Sequence, residues 1–394
     1  MSFRPLAGIR VVDLTSSLAG PTATEILGAL GADVVKVEHP QRGDEARAWG
    51  PRFWEGGSVM FFAANASKRS LALDVKDERG KEVLLRLVDR ADVFVQSLRA
   101  GTAERLGLGT DELRARNPRL VYCSIGAFGR RGPLAGQPGY DPLMQAFAGI
   151  VSLTGEPDRP GVRVGASLVD IGTGVWAALG IVAALYERAQ TGVGREVDVA
   201  LFETALSLVG YQLTDALRTG VAPGRFGTAF PLIVPYEVFP TQDGELMISA
   251  ANDGLFATFA ERIGRPELAG DRRFRTNPDR IANREELLPL VREKLAERPS
   301  AYWLEQLDGI PVAPVQDLAE VAAHEQTRAT GIVQQLDGIE TLGLPLQIDR
   351  ERVGHETAPP TLGRDSAEIL AELGYAAEEI AALAESGVTI LPRS

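Results

Sequence analysis

One carboxylate stands at the start of a long apolar stretch of the chain. The segment VGASLVDIGTGVWAALGIVAAL runs from Val164 to Leu185, and Asp170 is its only charged residue. Aspartate is a preferred helix N-cap, because its carboxylate accepts backbone N–H groups and suits the helix dipole. Small neighbours such as Gly172 and Gly174 leave room for a ligand to approach the backbone amides, so the same carboxylate is a candidate nucleophile. Free amides at a helix start can also stabilise an oxyanion. The sequence leaves both interpretations open.

Other polar residues could contribute to a site. The loop GRRGPLAGQPGYDPLMQAFAGI places Tyr140 and Asp141 directly before an apolar helix, and its simplest interpretation is a structured turn that starts this helix. Basic residues surround the neighbouring predicted strands, namely Lys68, Arg69, Lys76, Arg99 and Arg105. They are either ordinary surface charges or the lining of an anion pocket at the carboxyl edge of a sheet.

Several common chemistries find no support. The loop DLTSSLAGPTA follows a predicted strand, and Glu38 ends the next one, but Gly20 is its single glycine where the dinucleotide fingerprint needs three. No nucleophile elbow of a serine hydrolase is present. The histidines and the cysteine lack the spacing of metal ligands, so we expect no metal site; these residues are His39, His324, His355 and Cys123.

Composition limits the class of protein. The chain has 394 residues, a length typical of two domains, and a formal net charge of -12. This acidic balance argues against nucleic acid or an anionic membrane as the main partner. The lone Cys123 suits a reducing compartment. The N-terminal segment lacks the pattern of a signal peptide. We therefore expect a soluble cytoplasmic protein.

Strand-like and helix-like segments alternate through the first half of the chain. The predicted strands are GIRVVDL, DVVKVE, KRSLALDV, ADVFVQSL, LVYCSIGAFG and REVDVAL, with helical segments between them. This alternation predicts an α/β fold with an open parallel sheet, whose functional residues lie at the carboxyl ends of the strands. From Ala222 to Pro240 the chain becomes rich in proline, glycine and aromatic residues, as in a linker to a smaller domain. There YEVFPTQDGELMISA predicts a hairpin turning at Asp243-Gly244, followed by amphipathic helices.

Several segments in order resemble one enzyme family. These are GIRVVDLTSSLAGPTATEILGALGADVVKVEHPQRGDEAR, NASKRSLALDVKDERGKEVLLRLVDRADVFVQSLRAGTAERLGLG, LVYCSIGAFGRRGPLAGQPGYDPLMQAFAG and GASLVDIGTGVWAALGIVAAL. Together they resemble the family III CoA-transferases, also called the CaiB/BaiF family. The resemblance implies a Rossmann-like large domain formed by residues 1–221 and 319–394, a small α+β domain with its linker at 222–318, and an interlocked homodimer.

The resemblance also implies a site and a reaction. Asp170 falls on the family's nucleophile, which forms an aspartyl-acyl anhydride and then an aspartyl-CoA thioester while CoA passes from an acyl-CoA donor to a carboxylic acid acceptor. CoA is part of the substrate, and no tightly bound cofactor is implied. The family's CoA contacts fall on Ser17, His39, Leu73, Lys76, Ser97, Arg99, Arg105 and Tyr140. Leu18 stands where the formyl-CoA type has glutamine, and that type's glycine-rich lid has no counterpart here.

Two other functions remain open on the sequence alone. A racemase of the α-methylacyl-CoA type shares the fold, but it carries a histidine where Tyr140 stands, and a phenol is a poor base at neutral pH. A non-catalytic acyl-CoA binder is the other alternative, although Asp170 and its small neighbours are intact. The substrate acids are not specified, and Arg225, which could pair with a second carboxylate, weakly favours a dicarboxylic donor such as succinyl-CoA.

Overall fold

Six parallel strands form the main sheet of this computed structural model, which describes residues 3–54 and 57–392. The strands in chain order are β1 (Arg10–Leu14), β2 (Asp33–Glu38), β3 (Phe53–Trp54), β4 (Gly57–Ser58), β5 (Lys68–Ala72), β6 (Val93–Gln96), β7 (Val121–Gly126), β8 (Glu196–Ala200), β9 (Tyr236–Pro240), β10 (Glu245–Ser249), β11 (Val312–Pro314), β12 (Val333–Leu336), β13 (Ile339–Leu342), β14 (Gln347–Ile348) and β15 (Glu351–Arg352).

The order of the strands creates a crevice in the middle of the sheet. The order is β5-β2-β1-β6-β7-β8, and each neighbouring pair is parallel. The chain therefore begins at the centre, runs outward through β2 and β5, and returns to place β6 beside β1. This is the order of the dinucleotide-binding folds, in which ligands bind outside the carboxyl ends of the strands where the direction reverses. The predicted α/β class and open parallel sheet are confirmed.

Helices connect and cover the strands. They are α1 (Ala19–Ala29), α2 (Val59–Phe62), α3 (Glu78–Asp89), α4 (Thr102–Arg105), α5 (Thr110–Arg116), α6 (Asp141–Phe147), α7 (Ile150–Leu153), α8 (Leu168–Thr191), α9 (Leu201–Leu208), α10 (Gly210–Thr219), α11 (Asp253–Arg262), α12 (Glu267–Gly270), α13 (Asn277–Ala282), α14 (Arg284–Leu295), α15 (Ser300–Gln306), α16 (Leu318–Ala323), α17 (Glu325–Ala329), α18 (Ser366–Glu372) and α19 (Ala377–Glu385), with a 3-10 helix at Glu45–Ala48.

The longest helix, α8, packs closely on α1. A Cβ atom added to Gly174 would lie 2.7 Å from the carbonyl oxygen of Ala19 and 2.8 Å from the Cβ of Thr22. Only glycine allows this approach, so Gly174 serves helix packing rather than leaving room for a ligand. The helix ends at Thr191, and the glycine cap that follows it, Gly192, has a left-handed φ of 74°.

By length and composition alone, α8 could also cross a membrane. Its most apolar window is 44% buried within the molecule, however, and core helices of soluble proteins share these properties. One such helix is weak evidence for a membrane span.

The chain divides into two compact units. Unit 1 contains the chain up to Ile150, Val164–Thr219 and the chain from Gln326 onward, and unit 2 contains Val151–Arg163 and Gly220–Glu325. The segment 151–163 was predicted to belong to the large domain, but it groups with unit 2. In unit 2, β11, β10 and β9 form an antiparallel sheet over a core of its own, and the predicted hairpin at Asp243-Gly244 joins β9 to β10.

The C-terminal segment completes the edge of the main sheet. Strand β5 ends the sheet on one side, and the backbone N–H of Ser70 donates to the carboxylate of Asp365 at 2.7 Å. Further along, the N–H of Asp74 donates to the carbonyl of Val388, and Leu73 forms a bridge with Thr389. Apolar side chains of α18 and α19 enter the core of unit 1 beside β5.

Candidate active site

Asp141, not Asp170, caps the long helix. The N-cap position of α8 is Ser167, whose side chain makes no capping bond, and Asp170 is the third residue of the helix. The buried carboxylate of Asp141 accepts the N–H of Val169 at 2.7 Å and that of Asp170 at 3.2 Å. The N-cap interpretation of Asp170 is therefore wrong, and the side chain of Asp170 is left for another task.

The first amides of α8 are all engaged. Besides the two bonds to Asp141, the N–H of Leu168 donates to the carbonyl of Ala166 at 2.9 Å, and that of Ile171 donates to Ser167 at 3.0 Å. The hypothesis that free amides of this helix stabilise an oxyanion is therefore wrong. An oxyanion donor for chemistry at Asp170 has to come from another element or from the substrate.

Gln145 joins α6 to the loop that precedes α8. Its side-chain carbonyl accepts the N–H of Val164 at 2.8 Å, and its amide donates to Asp141 at 2.6 Å. Asp141 and Gln145 lie four residues apart, so one face of α6 holds both the loop and the first turn of α8. Both side chains are buried. Gln145 was not among the predicted site residues, although the spacing in YDPLMQ is a signal for such a pair.

The environment of Asp170 disfavours its charge. Burial, followed by the like charge of Asp141, raises the pKa of the Asp170 carboxyl from 3.8 to about 7. A half-buried carboxylate with a pKa near neutrality is desolvated and poorly stabilised, and such perturbed groups are typical of functional sites. When ionised, this carboxylate is suited to nucleophilic attack.

Most of the residues predicted to contact CoA follow the carboxyl ends of the central strands. Ser17 follows β1, His39 follows β2, Leu73 and Lys76 follow β5, and Ser97 and Arg99 follow β6, while Arg105 ends α4 and Tyr140 precedes α6. The two sides of the central crevice are joined, because the N–H of Ser16 donates to the hydroxyl of Ser97 at 3.1 Å. Lys76, Arg99 and Arg105 are exposed at this edge, whereas the side chain of Leu73 is buried.

Two of the five basic residues have a different role. Lys68 is buried at the start of β5, where its ammonium bonds the carboxylate of Asp13 at 3.1 Å. Arg69 pairs with Asp33, which begins β2. These two residues are therefore neither free surface charges nor lining of a pocket at the carboxyl edge.

Tyr140 lies in a small cluster with Glu45, Trp49 and Ser17, which the sequence did not predict. Its hydroxyl donates to Glu45 at 3.4 Å, and its ring packs edge-on against Trp49 at 6.4 Å between centroids. The hydroxyl of Ser17 donates to the same Glu45 carboxylate. The charge of Glu45, followed by partial burial, raises the pKa of the Tyr140 phenol. Tyr140 therefore remains protonated at neutral pH, which is unsuited to the base of a racemase.

Arg225 lies in unit 2 and makes its hydrogen bonds within that unit. Its guanidinium donates to the backbone carbonyls of Glu156 at 3.1 Å, Pro157 at 3.2 Å and Arg159 at 2.6 Å. These bonds occupy Nε and one terminal nitrogen, so the side chain gives little support to a dicarboxylic donor. Within residues 3–54 and 57–392, no three His, Cys, Asp or Glu side chains cluster as metal ligands would.

Comparison with known proteins agrees with this architecture. Residues 6–366 match the family model described as CoA-transferase family III. The chain is 40% identical over 89% of its length, and 91% of the relative, to the acetyl-CoA:oxalate CoA-transferase of Acetobacter aceti. It is 36% identical to the succinyl-CoA:glutarate CoA-transferase of Mus musculus, with 98% and 91% of the two chains covered.

A solved structure gives the same result. A CaiB/BaiF family protein from Brucella suis superposes with a TM-score of 0.85 at 39% identity, and the match covers 94% of this chain and 99% of the other. The α/β sheet and its carboxyl-edge crevice define a Rossmann-like transferase fold. The chain belongs to the family III CoA-transferases, and it is an enzyme that transfers CoA between carboxylic acids.

Proposed function

We propose that Asp170 is the nucleophile of this CoA transfer. The single observation that carries the proposal is the division of work between two neighbouring aspartates. Asp141 satisfies the amides at the start of α8, so Asp170 has no capping role, while burial and the charge of Asp141 bring its pKa to about 7. Its place in the first turn still suits the helix dipole, but a desolvated carboxylate that makes no capping bond is better explained by a chemical role.

The proposed reaction has four acyl-transfer steps. An oxygen of the Asp170 carboxylate attacks the thioester carbonyl of the donor, and CoA leaves as thiolate from an aspartyl-acyl anhydride. The thiolate then attacks the side-chain carbonyl of Asp170, releasing the donor acid as carboxylate and forming an aspartyl-CoA thioester. The acceptor carboxylate attacks this thioester and gives a second anhydride and thiolate. Attack of the thiolate on the acceptor's carbonyl yields the new CoA ester and restores Asp170.

The CoA moiety is proposed to lie along the carboxyl edge of the central strands. Ser17, His39, Leu73, Ser97 and Tyr140 would contact it there, together with three exposed cations. Lys76, Arg99 and Arg105 are suited to its phosphates by charge. The location at the reversal of strand order supports this assignment, because ligands of open α/β sheets bind at that crevice.

Dicarboxylic acids are the proposed class of substrate. The support comes from relatives named for oxalate and glutarate, and from a further one, 37% identical, named succinyl-CoA:mesaconate CoA-transferase of Haloarcula hispanica. The donor and the acceptor can be identified with a panel of short acyl-CoAs and free mono- and dicarboxylic acids. Mass spectrometry identifies the new CoA esters. Turnover of monocarboxylic acids alone would contradict this class.

The Asp170→Asn variant tests the nucleophile. We expect transfer to be lost while CoA binding and folding remain, because an amide cannot form the anhydride and Asp170 caps no helix. Hydroxylamine added during turnover of the wild type should modify the peptide that contains Asp170. Asp198→Asn is a matched control, since burial also raises the pKa of Asp198, and it should retain activity. Near wild-type transfer by Asp170→Asn would overturn the mechanism.

A homodimer is the proposed assembly, in the cytoplasm. Unit 1 presents an exposed apolar face on α8, with Ile171, Val175, Trp176, Leu179 and Tyr186 between 46% and 73% exposed. Exposed apolar surface of this extent on one helix is typical of a protein interface. The buried thiol of Cys123 suits a reducing compartment.

A further inference from the structure

A buried ionic network lies beneath the loop that joins β1 to α1. Asp13 on β1 and Lys36 on β2 are register partners, and both side chains are fully buried. Burial opposes the charge on Lys36, but Asp44, Asp13 and Glu38 outweigh it and raise the pKa of the ammonium group. Lys36 is therefore charged at any working pH. Two charged residues inside otherwise apolar strands were the signal in the sequence for this network.

Lys36 connects two loops at the carboxyl edge. Its ammonium donates to the carbonyl oxygen of Thr15 at 3.0 Å and pairs with the carboxylate of Asp44 at 2.8 Å. The other oxygen of Asp44 accepts the N–H of Ser17 at 3.0 Å and that of Ala46 at 2.9 Å. The backbone is thus held on both sides of Ser16, at the carbonyl of Thr15 and at the amide of Ser17.

Ser17 needs such support because its backbone is strained. Its φ is 71°, in the left-handed region that residues other than glycine rarely adopt. A non-glycine residue persists there only where the surroundings over-determine it, and such residues cluster at functional sites. A similar contact lies just after the loop, in the first turn of α1, where the buried ammonium of Lys68 donates to the carbonyl of Pro21 at 2.9 Å.

We propose that Lys36 and Asp44 are positioning residues, which hold Ser17 in its left-handed conformation and so pre-form the β1–α1 loop for CoA. The inference rests on the proposed CoA site, of which Ser17 is a member. Neither residue touches the reacting atoms. Their effect reaches the substrate through the backbone of Ser17 and through the hydrogen bond between Ser16 and Ser97 that spans the crevice.

CoA binding to the full-length protein, measured by calorimetry, tests the proposal. Lys36→Met keeps the length of the side chain but removes its charge, and we expect CoA to bind about tenfold more weakly, the cost of re-forming a left-handed serine. Arg188→Met is the matched control. Arg188 is a buried cation in unit 1 that pairs with Asp92 at 2.9 Å near the opposite end of α8. The Arg188→Met variant should be less stable than the wild type but should bind CoA with unchanged affinity.

A rescue separates positioning from general stability. Glycine adopts a positive φ without penalty. Ser17→Gly alone gives the reference affinity, which includes the loss of any contact made by the Ser17 side chain. Adding Lys36→Met to Ser17→Gly should then weaken CoA binding much less than Lys36→Met weakens it in the wild type, and this smaller loss is the glycine rescue. Loss of binding without glycine rescue, or equal loss in Arg188→Met, overturns the proposal. So does unchanged binding by Lys36→Met.

Two further arms complete the design. If Lys36→Met does not fold, Asp44→Asn removes the ion pair while its amide oxygen still accepts the N–H groups of Ser17 and Ala46. Loss of this ion pair should also weaken CoA binding, and Ser17→Gly should again rescue it. Unchanged affinity of Asp44→Asn for CoA would contradict the inference. Failure of the wild type to bind CoA would instead refute the proposed function, so the two failures are distinguishable.

Discussion

Asp141 and Asp170 meet at the start of α8 but have different roles. Asp141 is held by two backbone amides and the amide of Gln145, whereas Asp170 has the raised pKa. The sequence indicated Asp170 as a candidate, but it could not show which residue caps α8. The cap comes from 28 residues earlier in the chain, and local patterns describe only contacts between near neighbours.

The pH dependence of kcat/KM should report the ionisation of Asp170. Because the nucleophile must be a carboxylate, activity should rise with pH through about 7 and level off above it. Asp141→Asn removes the like charge while an amide oxygen still accepts a backbone N–H, so the acidic limb should move to lower pH. Asp198→Asn should leave the limb in place. If the acidic limb of the kcat/KM profile stays at the same pH in Asp141→Asn, the two carboxyl groups are not electrostatically coupled.

At the scale of elements, α1 and α8 set the position of the nucleophile. Gly174 lies one helical turn after Asp170, at the point where α8 meets the carbonyl of Ala19. The sequence predicted both helices and the six strands, because their apolar runs are long and bounded by polar turns. It did not specify which helices touch, since contact depends on tertiary packing. The small glycines beside Asp170 suggested room for a ligand, while Gly174 in fact gives room for a neighbouring helix.

Gly174→Ala should therefore impair both stability and transfer. The new Cβ would lie 2.7 Å from the backbone oxygen of Ala19. Relief of this clash requires a shift of α8, and with it of the Asp170 carboxylate, which lies one turn before Gly174. Misplacement of a reacting group by about 1 Å can cost a hundredfold in rate. Gly210→Ala is the control, because a Cβ there meets nothing within 4 Å. Full activity of a stably folded Gly174→Ala enzyme would show that the helix contact does not set the site.

At the scale of the whole molecule, the exposed apolar face of α8 bears on the assembly. We expect the wild type to sediment as a dimer at micromolar concentration. Leu179→Glu places a charge in the middle of this face and should shift the protein toward monomer, because an unpaired charge disfavours a buried interface. Leu342→Glu, on an exposed position of β13, is the control. A monomeric wild type would exclude the proposed assembly, whose interlocked form only the family resemblance implied.

The way in which β5 is completed has a consequence for the nascent chain. Ser70 and its partner Asp365 are separated by 295 residues, so the edge of β5 has no native cover until nearly the whole protein has been synthesised. At roughly 5–20 residues per second, a ribosome takes about 15–60 s over that interval. Throughout this time a sheet edge with unpaired backbone N–H and C=O groups is open to pairing with other chains. We expect truncation after residue 360 to yield aggregates, and folding in the cell to depend on chaperones that shield this edge until translation ends.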